Sequence, residues 1–371
     1  MNKKPITVTQ PSLPPLDEFI PYLESIWEDK WLTNNGKFNR ELEAELERFL
    51  GVEHLALCSN GTLALMLALK ALDVRGEVIT TPFSFVATSH SLLWVGAVPV
   101  FCDIEDKTYN IDPEKIEALI TERTTAILPV HVYGNPCDDE RIGKIAQRHG
   151  LKVIYDAAHA FHVKKDGRSI LTRGDLSVLS FHATKVFNTF EGGAVVCHTE
   201  EMKQKVKDLK NFGIRGETTV VSAGMNAKMN EVQAAMGLAQ LKYLEQNIAK
   251  RRAVADHYHE LLDGLPGITL PAERADVSGN YSYFPILIDG SCGPSRDAAY
   301  DLLKRHDILS RKYFYPLITH FPMYAGLPSA SAEKLPVAER IAAQVLCLPV
   351  YPGLSRAHVE KICRLLREGE K

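Results

Sequence analysis

Seven short apolar, β-rich runs separated by helical stretches fill residues 54 to 197, and this alternation narrows the possible fold more than any other feature of the chain. The runs are HLALC at 54–58, EVITT at 77–81, VPVF at 98–101, TAILPV at 125–130, KVIYD at 152–156, LSVLSF at 176–181 and GAVVC at 193–197. Helical patterns at 62–72, 84–95, 113–120 and 138–149 lie between several of them. Such alternation predicts an α/β fold with a mainly parallel sheet covered on both faces. Sheets of this kind collect ligands at the carboxyl ends of their strands, so residues at those ends are candidates for chemistry.

Beyond residue 197 the pattern turns to long helical segments, 199–211 and 227–263, the second ending near Gly264 and Pro266. A shorter α+β stretch follows, with YSYFPILI at 281–288 as a strand and DAAYDLLKRH at 297–306 as a helix. This predicts a large domain over 1–245, N-terminal segment included, and a smaller C-terminal α+β domain over 246–371. A chain of 371 residues is long enough for two such cores. The formal charge of −3 and the lack of any Lys/Arg-rich block argue against a nucleic-acid partner. No eighteen apolar residues run together, so no membrane span is expected, and ITVTQPSLPPLDE lacks the continuous apolar core of a secretory signal. Seven scattered cysteines without a CxxC pair suit the reduced thiols of a cytoplasmic protein better than a disulfide framework or a zinc site.

Four segments carry polar residues that invite a chemical reading. In SNGTLALMLALKAL, 59–72, Ser59 or Asn60 can cap a helix whose first turn holds Gly61 and Thr62. The free N–H groups of that turn make an anion site, most naturally for phosphate, although an ordinary capped helix reads the same way. In KVIYDAAHAFH the strand ends in Asp156, flanked by alanines that let a planar ligand approach. Its carboxylate can hold a protonated heterocyclic nitrogen, or it can cap the next turn. His159 and His162 can share a helical face, but no third ligand follows at a recognised spacing, so no metal is expected. In SFHATKVFNTFEGGAVV, 180–196, Lys185 stands among Phe181, Phe187 and Phe190. Desolvation there would lower the amine's pKa and free its lone pair, as a Schiff-base lysine requires, whereas an ordinary loop lysine is solvated. In AGMNAKMNEVQAAMGLAQL, 223–241, Gly224 and Asn226 form a turn before a helix whose Met229, Val232, Met236, Leu238 and Leu241 make a packing face. Asn226 is the polar residue that packing leaves unexplained.

Taken in chain order, these segments resemble the DegT/DnrJ/EryC1/StrS family of pyridoxal-phosphate sugar aminotransferases, from WLTNNGKF at 31–38 to YFYPLITHFP at 313–322. The resemblance implies the fold type I of pyridoxal-phosphate enzymes, aspartate aminotransferase-like, with a seven-stranded sheet and pyridoxal 5'-phosphate as cofactor. It also implies a homodimer with shared active sites. By match to the family's motifs, Lys185 is the covalent anchor and proton carrier, and Asp156 keeps the pyridine nitrogen protonated. Gly61, Thr62 and Ser180 cradle the phosphate, and Asn226 reaches the phosphate of the neighbouring subunit. Phe85, in TPFSFVAT, stacks on the ring, and His159 contacts the phenolic oxygen. Thr33, Asn34, Glu191, Tyr315 and His320 fall in motifs that bind substrate, although ITHFP departs from the commoner Leu-His before the proline.

A histidine in place of the lysine marks the family's dehydratases, so Lys185 implies a transaminase. FHATKVFNTFEGG follows the members that aminate C-4 of the sugar. That implies L-glutamate as donor and a dTDP-4-keto-6-deoxyglucose-type nucleotide sugar as acceptor, with a viosamine-type product. A C-3 or UDP-sugar aminotransferase of the same family is the nearer alternative. A non-catalytic sugar-nucleotide-binding or regulatory protein on the same fold is the other.

Overall fold

The apolar runs pair into one sheet in the computed structural model, which describes residues 4–368. Its strands are β1 (His54–Cys58), β2 (Glu77–Thr80), β3 (Val98–Phe101), β4 (Thr124–Leu128), β5 (Lys152–Asp156), β6 (Leu176–Ser180) and β7 (Gly193–Cys197). They lie in the order β1-β7-β6-β5-β4-β2-β3. Neighbours from β6 to β3 are parallel, and β7 runs antiparallel to both β1 and β6. Almost every residue of β1, β2, β4, β6 and β7 is buried, which accounts for their continuous apolar sequences. The register of β7 sets Gly193 opposite Cys58 on one side and Ser180 on the other. The turns that follow β1 and β6 therefore meet at one end of the sheet.

Two amphipathic helices precede the sheet, α1 (Leu16–Asp29) and α2 (Lys37–Leu50), neither of them evident from the strand-helix alternation. Phe38, Leu42, Leu46 and Leu50 recur at helical spacing along α2 and enter the core. Leu42 and Leu46 are fully buried, each contributing about 1.5–3 kcal/mol. The helices between strands include α3 (Gly61–Ala71), α4 (Ala87–Trp94) and α5 (Asp139–His149), and α6 (Glu200–Leu209) follows β7. The 113–120 pattern is only one α-turn, Pro113–Ile116, continued by a 3-10 turn.

The segment expected as one helix over 227–263 is two, α7 (Glu231–Leu241) and α8 (Leu244–Leu262). A reciprocal cap between Asn230 and Gln233 fixes the start of α7. Glu231, itself buried, then serves a second helix: its carboxylate accepts from Phe38 N–H at 2.8 Å and Asn39 N–H at 3.1 Å. These are two of the donors that the start of α2 leaves unpaired, since its Ncap, Gly36, has no side chain to offer.

A smaller antiparallel sheet has the order β8 (Ile268–Thr269), β9 (Phe284–Ile288), β10 (Val345–Leu348). The strand read from 281 starts three residues later, because Tyr281–Tyr283 is a lead-in tied to the loop after β5 through Ser282 Oγ and the Tyr283 ring, both at His159. Near the N-terminus, Ile6–Thr7 pairs in parallel with Ile308–Leu309, and Ile6 packs in the same core as Phe284, Ile286 and Leu346 of the smaller sheet. Arg251 of α8, buried, donates from Nη1 to Val350 O at 2.9 Å and ties the long helix to the C-terminal segment. Among the described residues no helix is long and apolar enough to cross a membrane.

Candidate active site

Asp156 ends β5, and its position at the centre of the sheet leaves it only 4 % exposed. Burial pushes its carboxyl pKa up, and three groups oppose this: Ala158 N–H at 3.1 Å from Oδ1, the Thr88 hydroxyl at 2.8 Å from Oδ2, and the charge of Lys185. Thr88 lies in the first turn of α4 and bonds the Ser84 hydroxyl at 2.8 Å, so the TPFSFVAT segment braces the carboxylate. One neighbouring strand away, Lys185 sits in the turn after β6, where Lys185 N–H donates to His182 O. Burial pulls its amine down to about 8, against the opposing charge of Asp156. An amine in that range exchanges protons near neutral pH.

His159 follows Asp156 within the same turn and is 4 % exposed. Burial, reinforced by the Lys185 charge, holds its pKa well below the usual range, so the ring is neutral. Tyr133 N–H donates to its Nδ1 at 3.3 Å, which leaves the proton on Nε2. The ring stacks on Phe314 with centroids 5.7 Å apart and meets Tyr283 edge-on at 4.8 Å. His162 packs instead on Phe49, at 4.5 Å. Among the described residues no group of three or more His, Cys, Asp or Glu side chains is disposed to hold a metal ion.

At the end of the sheet marked by Gly193, Asn60 rather than Ser59 caps α3, its Oδ1 accepting from Leu63 N–H at 2.9 Å. Gly61 opens the helix so close to β6 that a Cβ there would lie 2.9 Å from Ser180 Cβ. A Cβ on Gly193 would lie 2.7 Å from the Asn60 carbonyl carbon. Gly61 and Ser180 thus meet at one cradle floored by backbone, with Thr62 the next residue in the first turn of α3. Ser59 N–H donates to Ala227 O at 2.9 Å, which brings the Asn226 turn beside the same cradle, with the Asn226 side chain exposed. Phe85, in the turn before α4, is 58 % exposed.

The residues read as substrate-binding fall in two groups, Glu191 and the Thr33–Asn34 loop at the start of α7, and Tyr315 and His320 in the C-terminal part of the chain. Glu191 is held through its carbonyl by Thr189 Oγ1 at 2.8 Å and Gln233 Nε2 at 2.5 Å. Its carboxylate lies 3.5 Å from His182 Nε2, in the Lys185 turn. Thr33 and Asn34 are exposed in the loop before α2, anchored where Glu231 N–H donates to Leu32 O. Tyr315 carries the Arg296 guanidinium over its ring at 4.7 Å, and His320 Nε2 bonds Glu339 at 2.8 Å. Both are engaged within the smaller part of the chain. Thr88 and Tyr283 were not marked by any sequence motif: Thr88 stood in the quoted TPFSFVAT, but its partner Asp156 lies 68 positions on. A cavity of about 850 Å³ opens beyond Tyr283, between α8 and residues 271–281, and neither Lys185 nor Asp156 lines it.

A model of the DegT/DnrJ/EryC1/StrS aminotransferase family matches residues 16–367. Over 367 residues the chain is 56 % identical to a dTDP-4-amino-4,6-dideoxy-D-glucose transaminase of Escherichia coli, with 99 % of each chain covered. It is 52 % identical over 366 residues to a transaminase of the same name from Shigella dysenteriae, again with 99 % of each covered. A crystal structure of DesI in the presence of its TDP-sugar product is similar at a TM-score of 0.94 and 36 % identity, covering 98 % of this chain and 93 % of DesI.

Pyridoxal 5'-phosphate is the cofactor of such enzymes, and the residues present fit it. A buried carboxylate raised by burial and bonded on each oxygen calls for a cationic partner, which a protonated pyridine nitrogen provides. The cradle at Gly61 and Ser180 offers a helix N-terminus whose remaining free N–H groups suit a phosphate.

Proposed function

Because the chain belongs to the DegT/DnrJ/EryC1/StrS aminotransferase family, we propose that it moves the amino group of L-glutamate to C-4 of dTDP-4-keto-6-deoxyglucose, giving dTDP-4-amino-4,6-dideoxyglucose. One observation carries the reading: the Lys185–Asp156 site lies in a chain that is 56 % identical, over nearly its whole length, to a transaminase named for that product.

When bound, the cofactor supplies the carbon that carries the amino group and a ring that draws electrons from the donor's α-carbon. Lys185 Nζ anchors it covalently and then moves the proton at the donor's α-carbon, a task suited to an amine whose pKa is about 8. Asp156 holds the proton on the ring nitrogen, kept in line by Thr88 and Ala158. His159, neutral, donates from Nε2 toward the phenolic oxygen. Gly61, Thr62 and Ser180 bind the phosphate, Asn226 that of a neighbouring subunit, and Phe85 covers the ring. Glu191, Thr33, Asn34, Tyr315 and His320 meet the nucleotide sugar, and of these Glu191 has the best support, being fixed beside the Lys185 turn.

The same reading makes the protein a cytoplasmic homodimer that needs no metal, with a large domain to about residue 245 and a small one beyond it. Its viosamine-type product would enter lipopolysaccharide O-antigen synthesis. Mass-spectrometric product analysis with dTDP-4-keto-6-deoxyglucose and L-glutamate tests the proposal: a 4-amino sugar is expected, lost on Lys185→Ala. Amination only at C-3, or only of a UDP-sugar, would refute the substrate assignment.

A further inference from the structure

We infer that Tyr283 is the positioning residue that holds the Lys185 amine whenever that amine is not covalently engaged. Lys185 Nζ donates to Tyr283 Oη at 3.4 Å and lies 5.9 Å from the ring centroid. No motif assigns Tyr283 a role. It belongs to the lead-in of β9 and so reaches the lysine from the smaller sheet.

That lead-in is held where it can hold something else. Asn280, 2 % exposed, donates from Nδ2 to His159 O and to Phe161 O, both at 2.9 Å, and its Oδ1 accepts from Ser282 N–H at 3.0 Å. The loop after Asp156 and the lead-in of β9 are therefore one braced unit. Within it the Tyr283 ring is fixed by His159 at 4.8 Å, Tyr133 at 5.4 Å and Tyr313 at 5.9 Å.

A phenol suits both states of the amine, since its oxygen accepts from an ammonium and its proton can be donated to the lone pair of a neutral amine. Burial pushes the Tyr283 phenol above its ordinary value, so it keeps its proton in either state and adds no charge beside Asp156. Without it, the flexible four-carbon stem of Lys185 is left to the pull of the Asp156 carboxylate. An ammonium resting on that carboxylate competes with the ring nitrogen for its partner.

The inference rests on Lys185 being the covalent anchor, and the test separates the two. Stripped of cofactor and given pyridoxal phosphate, the intact wild-type chain should regain a visible band that Lys185→Ala cannot form. Absence of that Lys185-dependent band would refute the anchor itself. Tyr283→Phe, with an unchanged circular dichroism spectrum, is expected to regain the band more than threefold more slowly. It should also slow the single-turnover reaction with saturating glutamate by a similar factor, leaving the glutamate KM within twofold. Tyr283→His, which keeps a hydrogen-bonding atom on the ring, should recover both rates to within threefold of wild type. Band recovery in Y283F within threefold of wild type, or Y283H as slow as Y283F, overturns the inference. If Y283F does not fold, Y283H carries the test alone: recovery within threefold of wild type supports the role, and slower recovery overturns it.

Discussion

Replacing Lys185 by methionine keeps the length and most of the apolar body of the side chain and removes its charge, and it should stabilise the cofactor-free protein at neutral pH. Burial pulls the Lys185 amine from its ordinary 10.5 to about 8, so the folded state is penalised for the charged form. At 1.36 kcal/mol per pH unit the full interval is worth about 3.4 kcal/mol, an upper bound. Solvent reaches part of the side chain and reduces the expected gain to about 1–2 kcal/mol. The sign follows from proton linkage. Below pH 8 the lysine is charged in both folded and unfolded chains and the penalty is complete. As pH rises from about 8 to 10.5 the folded amine loses its proton first, and the penalty fades. Urea unfolding at pH 7 and pH 10.5 therefore gives the test: K185M should exceed the wild type at pH 7 by about 1–2 kcal/mol, with a gap that nearly closes at the higher pH. Equal or lower stability of K185M at pH 7, or a gap that does not change with pH, would refute the claim that burial depresses this amine. A stabilised but inactive K185M is the trade expected where catalysis requires a strained group.

Asp156→Asn should keep the cofactor bound while lowering kcat by about 100-fold or more, since it removes a preorganised charge, as steady-state kinetics would report. Gly61→Ala puts a Cβ 2.9 Å from Ser180 Cβ, an overpacking cost of about 1–3 kcal/mol that should weaken pyridoxal-phosphate binding by about tenfold in equilibrium dialysis. Leu42→Ala, at a fully buried position on α2, should cost about 2–5 kcal/mol in urea unfolding and leave the KM for glutamate unchanged.

The central sheet was legible because most of its strands are buried on both faces and so are written as unbroken apolar runs, several of them separated by helices. Asp156 and Lys185 were legible for a related reason, since each is a charged residue at or just after the end of such a run. Other features depend on which distant segments meet. Thr88 looks like any helical threonine until β5 brings Asp156 to it, and Tyr283 looks like one more aromatic of an apolar strand until Asn280 ties its lead-in to His159 O. The break between α7 and α8 was missed because helical periodicity continues through Lys242 and Tyr243 on both sides of it. α1 and α2 lie before the strand-helix alternation and so carry none of its signal, although Phe38, Leu42, Leu46 and Leu50 recur along α2 at helical spacing.

The placement of β7 also bears on how the chain is made. β7 is the last strand of its sheet in sequence, yet it lies between the first and the sixth, and its Gly193 is the residue that borders both Cys58 and Ser180. During synthesis β1 has no partner on that side until β7 has left the ribosome, and the two turns it will unite stay apart. Capture of the cofactor therefore waits on a late, long-range pairing, a slow class of folding event. Until then the exposed edges of β1 and β6 are open to mispairing with other chains.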